Sequence, residues 1–462
     1  MLKNNEILEF IKKDKVSTRK QKCKEGVRYY EAEHDIKNYR MFYYNADGNL
    51  VEDDTRSNIK IPHPFFTEIV DQQTQYMLSG KDGFIKSDDQ ELQKRLDDYF
   101  DDDFVAELND VITGAIVKGF DYIHSYFTEN GKLSFEHIDA MNVVEVKAKD
   151  ASDELDHIIY WYLETTPIND KKIMKVMVLD KESTYFYASN ESDELELDKT
   201  ENTNPKPHIL YTEQGKLMGE SLGYIPVFRL DNNHKRISNL KPIKQLIDDY
   251  DIMSCGLSNN LADFDHPLYV IKGFEGDNLT ELSQNLKTKK TIGVDDSGGV
   301  EVHTVDIPYQ ARLVKMQEDE KNIYRFGMGF NSAQIGDGNI TNIVIKSRYA
   351  LLDLKCNKLE IKLRAFLKKL VNIVIDEINS KNKTAYQSKD VYFEFNREVM
   401  TNASDNAQIE KTDAERKQIE VNTMLSLNSV IDDETIVKNI CDVLDINYEQ
   451  IKDDLLGGDM IE

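Results

Sequence analysis

The sequence predicts an α+β protein in which helical blocks on both sides enclose an antiparallel β region. Three observations predict it. Between Phe120 and Arg229, short segments rich in β-branched and aromatic residues are separated by turn clusters. Between residues 238 and 330, two stretches of three-and-four apolar spacing flank a compact insert. From Ile345 to Ile373 the apolar residues follow a sustained 4-3 pattern.

Residues 1–25 read as one short charged helix, followed by an aromatic-rich stretch that closes on the turn signal Asn45-Ala-Asp-Gly48. Thr67 to Leu78 has helical spacing, with Ile69, Gln73, Tyr76 and Met77 on one face. Asp88 to Leu108 reads as a second, acidic helix that Val111 to Gly119 continues. The β region follows, with strands expected at Tyr122–Phe127, Val143–Val146, His157–Leu163, Lys175–Leu179 and Thr184–Tyr187. Asn190 to Pro207 is polar and acidic and reads as a surface excursion.

Ser238 or Asn239 can cap the next helix, and Pro242 falls in its first turn, where a missing N–H costs little. Ile243, Leu246, Tyr250, Met253, Leu257 and Leu261 are its expected apolar face, with Asp248, Asp249, Asp251 and Asp263 among them. The helix should end near Asp265, because His266 precedes Pro267. The insert, 268–307, starts as a strand at Leu268. It carries a hairpin signature around Val294, Asp295, Asp296, Ser297, Gly298, Gly299 and Val300. From Pro308 a returning helix places Leu313, Met316, Ile323 and Tyr324 on one side, and Phe326-Gly-Met-Gly-Phe-Asn ends it. Two helices with a small αβ tip form a stalk.

Gln334, Ile335, Gly336, Asp337, Gly338, Asn339, Ile340 and Thr341 read as a flexible loop. Beyond it, Ile345, Leu352, Leu359, Phe366 and Ile373 recur every seventh residue, with Tyr349, Cys356, Leu363 and Leu370 four positions after the first four of them. This is a long helix with a packing seam, either buried in its own subunit or set against neighbouring subunits. Lys346, Arg348, Lys355, Lys358, Lys362, Arg364, Lys368 and Lys369 decorate the same helix. They fit a solvated face, or a surface near a polyanion or an acidic neighbour. Val391 to Phe395 is strand-like, and Ser404 to Leu456 is helical and acidic, with breaks near Asn428 and Asp445.

The 462 residues carry 84 acidic against 58 basic side chains, a formal charge of −26, with 40% hydrophobic residues. A folded protein follows, and a tight binder of nucleic acid is disfavoured, because counterion release needs a basic surface. Cys23, Cys255, Cys356 and Cys441 lie far apart, with no CxxC and no histidine at ligand spacing, as expected of free thiols in a reducing cytosol. No apolar run approaches the roughly 18 residues of a membrane span. Gly219-Glu-Ser221-Leu-Gly223 fits the G-x-S-x-G nucleophile elbow in letters. The elbow, however, needs a strand turning into a helix, and Tyr224 to Leu230 is strand-like. No phosphate loop, dinucleotide fingerprint or metal motif is present, so neither an enzyme nor a cofactor is expected.

Three segments carry a resemblance. Asn58-Ile-Lys-Ile with Ile69-Val-Asp-Gln and Tyr76-Met-Leu-Ser-Gly80, then Gly223-Tyr-Ile-Pro-Val-Phe-Arg-Leu, and most specifically Ser347-Arg-Tyr-Ala-Leu-Leu-Asp-Leu-Lys-Cys-Asn-Lys-Leu, are similar to the portal protein family of tailed phages. The closest likeness is to the branch typified by the Bacillus siphophage portal, over residues 20–400. The resemblance implies a portal fold. Residues 1–237 and part of 331–400 would form an α/β wing, 238–267 and 308–330 a two-helix stem, 268–307 a clip, and 401–462 a helical crown. It implies Gln334–Thr341 as a tunnel loop ahead of the long helix. It also implies a homo-oligomeric ring, usually of twelve subunits, at one capsid vertex of the virion. Double-stranded DNA would pass through it without sequence reading. The implied partners are the terminase large subunit and later a head–tail adaptor at the clip, together with major capsid and scaffolding proteins. Assembly would occur in the host cytoplasm, with no membrane and no cofactor. Another virion head or adaptor protein is the alternative, and a hydrolase acting through Ser221 a more distant one.

Overall fold

A computed structural model describes residues 2–54, 56–80, 83–128, 130–148, 154–165, 172–190, 194–213, 216–264, 268–272, 298–303, 307–331, 342–397, 403–427, 432–444 and 448. The chain is mixed α and β, in two compact units: residues 1–331 with 351–397, and residues 332–350 with 398–462.

The first unit opens with two helices, α1 (Asn4–Lys15) and α2 (Thr18–Tyr30), where the sequence reads as one. The break is a cap: Ser17 has extended backbone and its hydroxyl accepts from the Lys20 N–H. A 3-10 turn (Asp35–Asn38) leads to a two-stranded hairpin, β1 (Phe42–Tyr44) and β2 (Leu50–Glu52), closed by the expected Asn45–Gly48 turn. Helix α3 (Phe65–Met77) buries Ile69, Gln73, Tyr76 and Met77 as expected. After β3 (Ile85–Lys86), the single acidic helix of the sequence reading is again two, α4 (Gln90–Asp97) and α5 (Asp102–Lys118). Asp101 caps α5 through the Phe104 N–H. Gly119 ends it at φ +97°, in the left-handed region, with space for a Cβ taken by the Arg236 carbonyl.

The antiparallel region is β4 (Phe120–Phe127), β5 (Leu133–Ile138), β6 (Val143–Lys147), β7 (Leu155–Thr165), β8 (Lys172–Leu179), β9 (Ser183–Ser189), β10 (Leu195–Leu197), β11 (Lys206–Pro207), β12 (Ile209–Glu213), β13 (Lys216–Glu220) and β14 (Val227–Asp231). One sheet runs β10-β9-β8-β7-β6, with β11 also on β9; another runs β14-β4-β5; β12 and β13 form a separate hairpin. The stretch read as a surface excursion thus supplies two edge strands, and Leu195 is buried. Two cores result. Ile7 and Ile11 of α1 pack on Val144, Ile159, Val176, Val178 and Tyr187 of the large sheet. Cys23 of α2 joins Phe120, Tyr122, Ile138, Val143 and Val227.

Helix α6 (Lys244–Phe264) begins later than its cap residues suggest, because Ser238 holds a turn over 239–243 before regular helix starts. Strands β15 (Leu268–Lys272) and β16 (Gly299–His303) pair antiparallel at its far end, and α7 (Tyr309–Gly327) returns. Lys315 of α7 bridges Asp249 and Asp319, and Arg312 donates to the Met253 carbonyl, which fixes the two helices antiparallel. Helix α8 (Asn342–Asn382) continues from the second unit into the first, where β17 (Tyr392–Phe393) pairs with β3. In the second unit α9 (Ala403–Ser426) packs on α10 (Asp433–Leu444), with Ile436 and Cys441 buried. All four cysteines are free and buried.

Candidate functional site

A run of polar contacts lies where α6 meets the extended segment 57–63. The side chains of α6 that face this segment accept its alternate backbone N–H groups one after another. Asp263 accepts from Ser57 (2.9 Å), Asn259 from Ile59 (2.7 Å), Cys255 from Ile61 (3.2 Å) and Asp251 from His63 (3.0 Å). Two residues of extended chain advance about 6.5 Å and four residues of helix about 6 Å, so the registers match over the whole run.

This ladder corrects the expected face of α6. The buried stripe is Ile243, Ile247, Asp251, Cys255 and Asn259, whereas Leu261 is exposed. Likewise α7 buries Asp319, Ile323 and Tyr324 but leaves Leu313 exposed. In both helices a polar residue inside the packed face displaces an apolar one that periodicity alone favours.

Asp251, the last rung of the ladder, is fully buried. Its Oδ2 meets His34 Nδ1 and its Oδ1 meets His63 Nδ1, each at 2.7 Å. Burial by itself would raise the Asp251 carboxyl, but the hydrogen bonds from His34 and His63 outweigh it and hold the group below the usual carboxylate range. Tyr29 stacks on His34 with ring centroids 4.5 Å apart, and its hydroxyl donates to Asp248. Lys244 joins Asp35 (2.6 Å) to Asp248 (2.8 Å). Helix α2 and the turn after it are thereby bolted to α6.

A second junction forms where α7 ends. Met328 adopts left-handed backbone, and a Cβ at Gly327 would collide with Ile69 of α3. Gln72 of α3 then holds the outgoing chain at both groups of one residue, accepting from Phe330 N (2.9 Å) and donating to Phe330 O (2.7 Å). From the other side Lys355 of α8 donates to the Gly327 carbonyl at 2.6 Å. Burial pushes the Lys355 ammonium down to about 8. The chain is thus clamped immediately before residue 332.

The residues singled out from sequence fare differently. Gln334 to Thr341 and Val294 to Ser297 lie outside the described residues. Gly298 is described, and Gly299 and Val300 begin β16, whose partner is β15. The seam of α8 lies inside its own chain: Leu352, Cys356, Leu359, Leu363, Phe366, Leu370 and Ile373 are all buried, and Tyr349 is half-buried. The side chain of Ile345 lies outside the described residues. The alternative of a seam packed on neighbouring subunits is therefore corrected for the buried positions. Side chains already enclosed by their own fold cannot reach a neighbour, and among the described residues the exposed large hydrophobics of α8 are Leu351, Leu354 and Ile361. Ser221 is tied into a turn, donating to Lys181 O (2.8 Å) and accepting from Gly223 N (3.0 Å), and the chain runs on into β14 rather than a helix. That geometry lacks the elbow. Among the described residues no helix is long and apolar enough to cross a membrane.

A sequence profile described as "Phage portal protein, SPP1 Gp6-like" matches residues 9–453. The chain belongs to this portal protein family. Among its relatives, the portal protein of Bacillus phage SPP1 is 30% identical over 344 residues, 74% of this chain and 67% of that one. The portal protein of Clostridium phage phiCD119 is 23% identical over 378 residues, covering 78% and 80%. Family membership marks a structural component of a phage rather than an enzyme, and the segments that carried the resemblance can now be read physically. Asn58-Ile-Lys-Ile is the extended half of the ladder, Ile69 with Gln72 clamps the end of α7, and Lys355 with Cys356 closes that clamp from α8. Sequence reading missed the ladder, although its signal was present: Asp251, Cys255, Asn259 and Asp263 recur every fourth residue on a helix.

Replacing Asp251 with Asn should cost about 3–5 kcal/mol in urea unfolding, because it leaves buried donors facing a neutral amide. Asp249→Asn, which removes a half-exposed ion pair with Lys315, should cost under about 1 kcal/mol. Equal losses would contradict the central place given to Asp251. Lys355 gives a pH signature. Below pH 8 both folded and unfolded chains carry its charge, and above its ordinary value of 10.5 neither does. Between these limits only the unfolded chain holds the proton, so stability rises with pH. The difference in unfolding free energy between wild type and Lys355→Met should move in favour of wild type across this window, by up to about 1.4 kcal/mol per pH unit. A flat difference would refute the assignment.

Proposed function

We propose that this chain forms the ring at one vertex of a tailed-phage capsid through which double-stranded DNA is packaged and later ejected. The observation that carries the reading is the family match over residues 9–453, to which the portal proteins of two phages add their own similarity. In this reading residues 1–237 with part of 331–400 make the wing. Helices α6 and α7, within 238–267 and 308–330, make the stem, 268–307 the clip and 401–462 the crown. The antiparallel α6–α7 pair with β15 and β16 at its far end suits a stem carrying a clip.

The clip, including Val294–Val300, would meet the terminase large subunit during packaging and a head–tail adaptor afterwards, and capsid and scaffolding proteins would surround the ring. Gln334–Thr341 would face the channel as the tunnel loop. The chain entering this loop supports that role: Phe330 is held by Gln72 and the Gly327 carbonyl by Lys355, so a loop springing from there leaves from a fixed point. The acidic chain fits a conduit, since each tight phosphate contact would add a barrier to sliding.

Light scattering on the purified protein in moderate salt should give about twelve times the 53.4 kDa chain mass, alone or after co-assembly with capsid and scaffolding proteins. A chain that stays monomeric under both conditions would overturn the ring. Deleting residues 334–341 should leave the ring mass unchanged and reduce the DNA packaged per capsid. Full packaging without the loop would remove it from the channel.

A further inference from the structure

The hairpin β1–β2 is out of keeping with the rest of the first unit. A two-stranded hairpin standing alone is marginal in water, and every residue of both strands is exposed. Phe42 is 53%, Tyr44 73% and Leu50 59% exposed, and the register sets Tyr44 opposite Leu50 on the same face as Phe42. Yet the tip is well built. Asn45 accepts from the N–H groups of Asp47 and Asn49 through its side chain, and Gly48 supplies the left-handed turn. A stiff turn presenting aromatic side chains to water, rather than burying them, is what a docking element looks like before its partner arrives.

The same unit carries a concave counterpart. An open cavity of about 840 Å³ lies between α3, α6 and α7, walled by the rings of Phe65 and Tyr250 and rimmed by Glu68, Asp71, Gln75 and Glu320. No hairpin residue lines it. Its chemistry is aromatic at the wall and carboxylate at the rim. It therefore suits a tyrosine, whose ring would pack on the rings and whose hydroxyl would donate to a carboxylate.

We propose that the hairpin of one copy of this chain inserts Phe42 and Tyr44 into the Phe65–Tyr250 cavity of the next copy. The inference rests on the ring proposed above. A closed ring is made by a heterologous contact, in which two different surfaces of the same chain meet around the circle. A rigid projection and a cavity on one compact unit are such a pair. The contact also covers the apolar face that the single chain leaves in water.

The test co-expresses two singly substituted chains, Ala46→Cys at the exposed hairpin tip and Gln75→Cys, and treats the assembled protein with a short bismaleimide. All four native cysteines are buried, which keeps the background low. A covalent dimer is expected only when both substituted chains are present. In parallel, Phe42→Ser with Tyr44→Ser should raise the monomer fraction at least tenfold while leaving the circular dichroism unchanged. An assembled ring that yields no mixed dimer overturns this contact and leaves the ring standing. Cross-linking decides the matter even if the serine variant fails to fold. A wild-type chain that never assembles, alone or with capsid partners, overturns both.

Discussion

The structure depends on a register match between an extended chain and a helix. Residues 57, 59, 61 and 63 each need an acceptor for a backbone N–H, and the segment has no neighbouring strand to supply one among the described residues. Helix α6 answers with side chains spaced by four: Asp263, Asn259, Cys255 and Asp251. The helix end of this ladder is also where His34 enters, so one carboxylate fixes the N-terminal segment, the extended strand and α6 together. Burying Asp251 is tolerable only because its oxygens meet two imidazoles and a peptide N–H, which is the condition under which a buried charge is not ruinous. The cost falls on the apolar pattern: Leu261 is left outside so that polar residues can face inward.

Helix α8 shows the complementary solution. Its apolar seam is enclosed, while its polar side chains act at a distance along the chain. Lys355 reaches the end of α7, Arg364 reaches the carbonyl of Phe393, and the carboxylates of Asp353 and Glu360 receive Arg397. The basic residues that look like a stripe in sequence thus do separate work. Lys355 and Arg364 tie elements of one chain together, and Lys358, Lys368 and Lys369 stay exposed.

Much of this was legible in the sequence because the physics concerned is local. The β region was readable from side-chain type, α8 from its heptads, the end of α7 from Gly327-Met-Gly329, and the turn between β1 and β2, though not its strands, from Asn45–Gly48. What was misread depends on partners distant in sequence. One helix was expected where Ser17 and Asp101 interrupt two, because caps inside acidic or basic runs look like more helix. Asn190–Pro207 looked like solvent-exposed chain because an edge strand needs few apolar residues, and Leu195 was its one clear sign. The face of α6 was assigned by hydrophobicity, which carries no information about an extended segment some 200 residues earlier that requires acceptors. The candidate site divides the same way: the seam of α8 was visible, but not which body it packs into.

Under the proposed role, the placement of charge bears on how DNA would be handled. Three of the chain's basic side chains are internally engaged: Lys355 by the Gly327 carbonyl, Lys315 by Asp249 and Asp319, and Arg397 by Asp353 and Glu360. Each of these cations would have to break a hydrogen bond before it could hold a phosphate. An occupied cation adds positive potential without a strong directional contact, which lowers the energy of a polyanion nearby but does not fix it at any one position. Free lysines at the same places would give a series of traps spaced along the backbone, each released only by salt or force. Internal pairing of this kind is consistent with the proposed conduit in a chain of net charge −26, because it leaves fewer cations free to hold a phosphate in place.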